Sequence, residues 1–175
     1  MNLSIFFELS LAVQVHMVCA IGSLVLGLYV LLDKKGTKNH RVLGWCWVVL
    51  MLGAATSAAF IHQLRMVWIF SPIHVFVPIT FIGLYQAIGH ARAGRIAAHR
   101  ASMRSMYWGA LCVPFSFALI PDRVLSYMFG FKDLGWIPMS IAAAIVLSVG
   151  AYYRWEGFWK ETINRLLPPV DQQNQ

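Results

Sequence analysis

Five stretches of this 175-residue chain, at roughly 5–32, 42–62, 72–91, 101–121 and 136–153, are apolar almost without interruption. A segment that crosses the hydrocarbon core of a bilayer needs about 20 such residues. In lipid the backbone must satisfy its own hydrogen bonds, so a spanning segment is a helix or part of a closed barrel. These runs are long and lack the strict alternation of a barrel strand, which makes them helices. The expected fold is therefore an all-α polytopic integral membrane protein with five transmembrane helices. Composition agrees: 59% of residues are hydrophobic and 12% charged, against roughly half and a quarter in soluble domains. The first run is too long for a removable signal peptide and lacks a basic front end and a small-residue cleavage site. It is expected to remain as a helix.

Short cytoplasmic loops collect lysine and arginine. The loop after the first run carries Lys34, Lys35, Lys38 and Arg41, and the loop after the third carries Arg92, Arg95, Arg100 and Arg104. The opposite loops hold Arg65 alone and the cancelling set Asp122, Arg123, Lys132 and Asp133. This asymmetry predicts an amino terminus outside and a carboxyl terminus in the cytoplasm. The net charge of +7 follows from the same bias, so it argues for topology and against nucleic acid as a partner. Residues 1–153 form one transmembrane domain in this reading. Residues 154–175 form a cytoplasmic tail, an amphipathic segment at the interface followed by a disordered polar end.

Six histidines are distributed in a repeating plan. His16 lies inside the first run and His74 inside the third, while His40 opens the second and His99 the fourth. The steps from His16 to His74 and from His40 to His99 are nearly equal. Each half then consists of a descending helix with a histidine, a basic loop with a glycine, and a His-Arg pair opening the return helix. Two such halves predict a pseudo-repeated four-helix bundle. His16 and His74 each stand about 17 residues from the cytoplasmic surface, about 25 Å along a helix. They share a depth in the outer half, and His40 and His99 share one at the cytoplasmic edge, with His90 close by.

Matched imidazoles on facing helices suit a haem iron with two axial histidines, given small residues beside them to admit the macrocycle. Cys19, Ala20, Ser23 and Gly27 follow His16 at helical spacing, and Gly44, Gly53, Ser57 and Gly83 add small side chains on the next two helices. The expectation is haem b at two centres, ligated by His16 with His74 and by His40 with His99. The layout resembles that of the di-haem b-type cytochromes, including the ascorbate-linked kind. The basic loops would guide an anionic redox donor or a quinone headgroup. Depth favours the outer histidines, because an ionisable group inside a span is costly and faces a partner or a wet cavity. The two His-Arg pairs also suit plain interfacial anchors.

A competing expectation uses the outer residues alone. His16, His62 and His74 with Glu8, two turns before His16, make a donor set suited to zinc or copper. A third reading is a non-catalytic membrane assembly subunit. Cys19, Cys46 and Cys112 are isolated, with no C-x-x-C, and read as buried thiols. Pro78 and Pro114 are expected to kink the third and fourth helices. Pro121 and Asp122 end the fourth helix, and Ser71-Pro72 begins the third.

The stretches Lys35-Gly36-Thr37-Lys38-Asn39-His40-Arg41-Val42-Leu43-Gly44-Trp45, Phe60-Ile61-His62, Phe70-Ser71-Pro72-Ile73-His74 and 91–100, ending Ala98-His99-Arg100, give the chain a recognisable signature. It resembles the bacterial predicted membrane proteins grouped as domain of unknown function 2306, over roughly residues 10–130. The resemblance implies a four-helix core in a bacterial inner membrane and carries no activity with it.

Overall fold

The computed structural model describes residues 4–61, 75–121, 123–130 and 134–166. The expectations placed on the segment 62–74, including His62, the Ser71-Pro72 helix start and His74, lie outside the described residues, as does the end beyond residue 166. All regular structure among the described residues is helical. After a single turn, α1 (Ser4–Phe7), come α2 (Leu11–Leu32), α3 (Lys38–Ala59) and α4 (Phe76–Arg92). The next helix runs without a gap through α5 (Ile96–Ser105), a π-helical segment (Met106–Cys112) and α6 (Val113–Ala118); α7 (Val124–Met128) and α8 (Ile137–Leu166) follow.

Among the described residues, three helices are long and apolar enough to cross a membrane: Leu11–Leu32, Lys38–Ala59 and Ile137–Trp155. Their surfaces are those of a protein solvated by lipid. Val18, Val25 and Leu32 on α2, Val42 and Val49 on α3, and Ile141 and Leu147 on α8 are all exposed. The buried set meanwhile includes Ser23, Ser57, Thr80 and Ser116. A soluble domain would bury the first group. Small residues at helix contacts allow close approach where lipid offers no hydrophobic drive to associate. Three of the buried hydroxyls are satisfied within their own helices, Ser57 donating to the Gly53 carbonyl, Thr80 to Phe76 and Ser116 to Cys112, at 2.7, 2.7 and 2.9 Å.

The helices pair through short basic loops, α2 with α3 across Asp33–Thr37 and α4 with α5 across 93–95, and connections so short make antiparallel neighbours. Gly36 and Gly94 adopt φ of +84° and +71° in these loops, a backbone region that favours glycine. The core gathers where the two pairs meet: Trp47, Val48 and Met51 of α3, Leu84 of α4, and Met106, Tyr107, Ala110, Leu111 and Cys112 of the π segment. Trp47 Nε1 donates to the Ser23 carbonyl at 2.9 Å, and the Tyr107 hydroxyl donates to the Leu24 carbonyl at 3.0 Å. Both rings lie against Gly27, where an added Cβ would collide with them.

Several boundaries differ from expectation, each for a local reason. The first apolar run is broken at 8–10, where the Gln14 side chain donates to the Leu9 carbonyl; Glu8 therefore lies exposed ahead of α2, not two turns before His16 on one helix. The second helix begins at Lys38 because the Thr37 hydroxyl accepts from the His40 amide at 3.0 Å, an N-cap. Pro78 falls in the first turn of α4, where an absent N–H removes no helical bond. Pro114 is the second residue of α6, directly after the π segment. The helix thus meets this proline with a widened turn, a common insertion within α-helices. The face from Cys19 to Gly27 gives no gap for a macrocycle: Trp47 and Tyr107 fill the space at Gly27, and the Cys19 sulfur lies 2.9 Å from where a Gly53 Cβ would stand. Finally, α8 passes residue 154 unbroken, so the expected interfacial segment begins as a continuation of the fifth helix.

Gly27→Val is expected to lower the thermal midpoint in detergent, at a cost of about 1–3 kcal/mol for overpacking. Gly89→Ala, whose added Cβ would meet nothing within 4 Å, should match or exceed wild type. Circular dichroism melts of the two variants check the contrast.

Candidate functional site

A concavity of about 850 Å³ opens at the end of the bundle where the basic loops lie. Five helices contribute to it: Gly27 and Leu31 from α2, His40, Gly44 and Trp47 from α3, Ile88 and Arg92 from α4, His99, Arg100 and Arg104 from α5, and Tyr153 from α8. The two loops and the far end of α8 are thus at the same end of the molecule. Its volume lies within the roughly 300–1,000 Å³ usual for small-molecule and cofactor sites.

His40 and His99 both line this cavity, and His99, Lys35, Asp33 and Arg100 all lie near enough to act electrostatically on His40, Asp33 as an anion beside the cations. The Thr37 cap sets His40 in the first turn of α3. His99 is fixed differently, with its Nδ1 2.9 Å from the carbonyl of the fully buried Ala87. A carbonyl can only accept, so Nδ1 carries the proton and Nε2 remains the acceptor or ligand. His40 Nδ1 is shielded from solvent and has no hydrogen-bond partner. His90 Nδ1 is also buried and unpartnered, but His90 does not line the cavity. Gly44 leaves open space, with nothing within 4 Å of a would-be Cβ.

The cavity is strongly cationic. Lys35, Arg41, Arg92, Arg100 and Arg104 line it, and no aspartate or glutamate is among its described lining residues. Arg104 also lies over the Tyr153 ring, 5.0 Å from its centroid, a cation–π contact that joins α5 to α8. Clustered cations at the edge of a low-dielectric region repel one another and favour an anionic occupant.

Of the outer residues, His16 and Glu8 are described. His16 is half-buried, and its Nδ1 lies 2.8 Å from the Ala54 carbonyl of α3 and 3.4 Å from Ser57 Oγ. By the same reasoning Nδ1 donates to Ala54, which gives this intramembrane imidazole a partner on a second helix. Among the described residues no group of three or more His, Cys, Asp or Glu is placed to hold a metal ion. The cavity residues that sequence reasoning did not single out are Trp47, Tyr107 and Tyr153. Their signal in the sequence was an aromatic ring with a polar tip inside an apolar run.

A family model described as "Predicted membrane protein (DUF2306)" matches residues 13–153. No curated protein and no solved structure matches the chain.

Replacing His99 with alanine removes its bond to Ala87, and replacing His16 with alanine removes its bond to Ala54. Each is expected to cost about 0.6–1.7 kcal/mol, the scale of side-chain hydrogen bonds between membrane helices. Equilibrium unfolding in mixed micelles should register both losses, with asparagine at either position recovering part of the stability.

Proposed function

For this chain, which belongs to the DUF2306 family of predicted membrane proteins, we propose the role of a transmembrane electron carrier of the b-type cytochrome kind, with haem held by histidines in its basic cavity. The observation that carries this reading is the pairing of His40 and His99 in one cavity of cofactor size with a cationic rim. The residues fit the group chemically. Two imidazoles come from different helices, and His99 has its Nδ1 proton engaged by a backbone carbonyl, as ligating histidines commonly do. Gly44 gives clearance for a flat ring, while the arginines and Lys35 suit its two carboxylates. Haem bound there would take up and release one electron at a time.

The complete arrangement in this reading has five spans in a pseudo-repeated bundle of a bacterial inner membrane. The amino terminus is outside and the carboxyl terminus is cytoplasmic, so the basic cavity faces the cytoplasm. A second haem near the outer face would take His16 and His74 as ligands, with its ring on the outer side of His16, away from the face that Trp47 and Tyr107 fill at Gly27; in its favour, the His16 Nδ1–H is fixed by the Ala54 carbonyl.

Expression in a haem-replete host and purification in mild detergent should give a reduced-minus-oxidised spectrum with Soret and α bands. Alanine at His40 or His99 should each remove the inner centre's share of the α band, leaving the outer share. A colourless wild-type protein would sink the reading. Bound zinc or copper, lost on His16→Ala and His62→Ala, would favour the outer metal site instead.

A further inference from the structure

The five cations that line the basic cavity, Lys35, Arg41, Arg92, Arg100 and Arg104, are not equally engaged. Lys35 Nζ donates to the Leu31 carbonyl at the end of α2. Arg104 lies over the Tyr153 ring, and its Nε donates to the Arg100 carbonyl at 3.4 Å. Arg41, Arg92 and Arg100 are exposed, and among the described residues no hydrogen bond or ion pair holds any of their guanidinium groups. Asp33 is an anion close to His40. Setting it against one of the five cations, and the two carboxylates of a haem against two more, still leaves two without an anion. Like charges gathered beside a low-dielectric interior repel one another until an anion joins them.

Level and shape narrow what that anion can be. The cavity lies where the spans end: α2 stops at Leu32, α3 starts at Lys38, and Tyr153 stands two residues before the end of the span Ile137–Trp155. Lipid phosphates lie at the same level, at the margins of a hydrocarbon core about 30 Å thick. From there one face of α3 leads into the hydrocarbon. Val42, Trp45 and Val49, three and four residues apart, share that face and are all exposed, and Trp45 also lines the cavity. Arg41 precedes this apolar track directly. An occupant that uses both features carries a negative head and an apolar chain.

We infer that the mouth of the basic cavity is a binding site for an anionic phospholipid, its phosphate taken by Arg41, Arg92 and Arg100 and an acyl chain lying along Val42, Trp45 and Val49. A guanidinium group presents paired N–H donors that match phosphate oxygens. Basic pockets between membrane helices bind lipid headgroups on the same principle. A zwitterionic lipid brings its own cation and so adds no net negative charge to the cluster. Lys34, Lys38 and Arg95 stand at the same end of the molecule but do not line the cavity, which separates a site from general attraction to a basic surface. The site does not depend on the haem reading, since arginines remain without an anion whether or not haem is bound.

The test titrates the full chain, delipidated in a mild non-ionic detergent, with dioleoyl phosphatidylglycerol, and reads bound lipid by native mass spectrometry. Wild type should bind it at least about tenfold more tightly than dioleoyl phosphatidylcholine. One Lys or Arg beside an anionic lipid contributes a factor of about five, so Arg41→Gln, Arg92→Gln and Arg100→Gln should each weaken binding about fivefold and together about a hundredfold. Lys34→Gln, Lys38→Gln and Arg95→Gln combined remove the same charge from the same end and should weaken it no more than about twofold. Circular dichroism melts identify variants that remain folded, and the single variants carry the comparison if the triple does not. Equal affinity for the two lipids, equal losses in the two triple variants, or full displacement by glycerol phosphate at equal concentration would overturn the inference. Selective binding to a colourless protein would uphold it and reject the haem, whereas haem bands without lipid selectivity would do the reverse.

Discussion

Helices in lipid have already satisfied their backbones, and burying apolar surface against a neighbour gains little over contact with acyl chains. Hydrogen bonds that cross between helices therefore matter more to the arrangement of this bundle than they would in water. Among the described residues, side chains donate to a backbone carbonyl on another element from His16 to Ala54, Trp47 to Ser23, Tyr107 to Leu24 and His99 to Ala87. Two fasten α2 to α3, one ties the π segment to α2, and one joins α4 to α5. Each acceptor carbonyl has a second lone pair to offer beyond its own helical bond. Gly27 makes two of these bonds compatible, because the Trp47 and Tyr107 rings both approach α2 over its bare backbone.

The same four bonds explain why room for a ligand is found where it is. Between His16 and Gly27, α2 and α3 close upon each other, and Tyr107 reaches in from the other helix pair. Towards the basic loops Gly44 stands open, and the long cationic side chains repel one another around the cavity. The inner histidines consequently border a cavity. His16, although deeper in the membrane, meets backbone.

Much of this architecture is legible in one sequence. Apolar runs announced the helices, the basic loops announced their common end, and the two His-Arg pairs put His40 and His99 at that end. What stayed hidden depends on residues distant in the chain. The small face of α2 read as an empty slot, yet it is filled by Trp47 and Tyr107, about 20 and 80 residues further on. Pro114 signalled an irregular helix, but the widened turn lies before it and its effect is to orient Tyr107 and Trp108. The break at Glu8–Ser10 has no glycine or proline to mark it. It was legible only through Gln14, whose amide folds back on Leu9.

The length of α8 has a mechanical consequence. Its 30 residues extend about 45 Å at 1.5 Å per residue, whereas the hydrocarbon core is about 30 Å thick. With Tyr153 already at the mouth of the basic cavity, the final turns lie beyond that level as part of the same rod. Tyr153, on this rod, lies under the Arg104 guanidinium, so the last described turns of α8 and the cation–π contact at the cavity belong to a single stiff element.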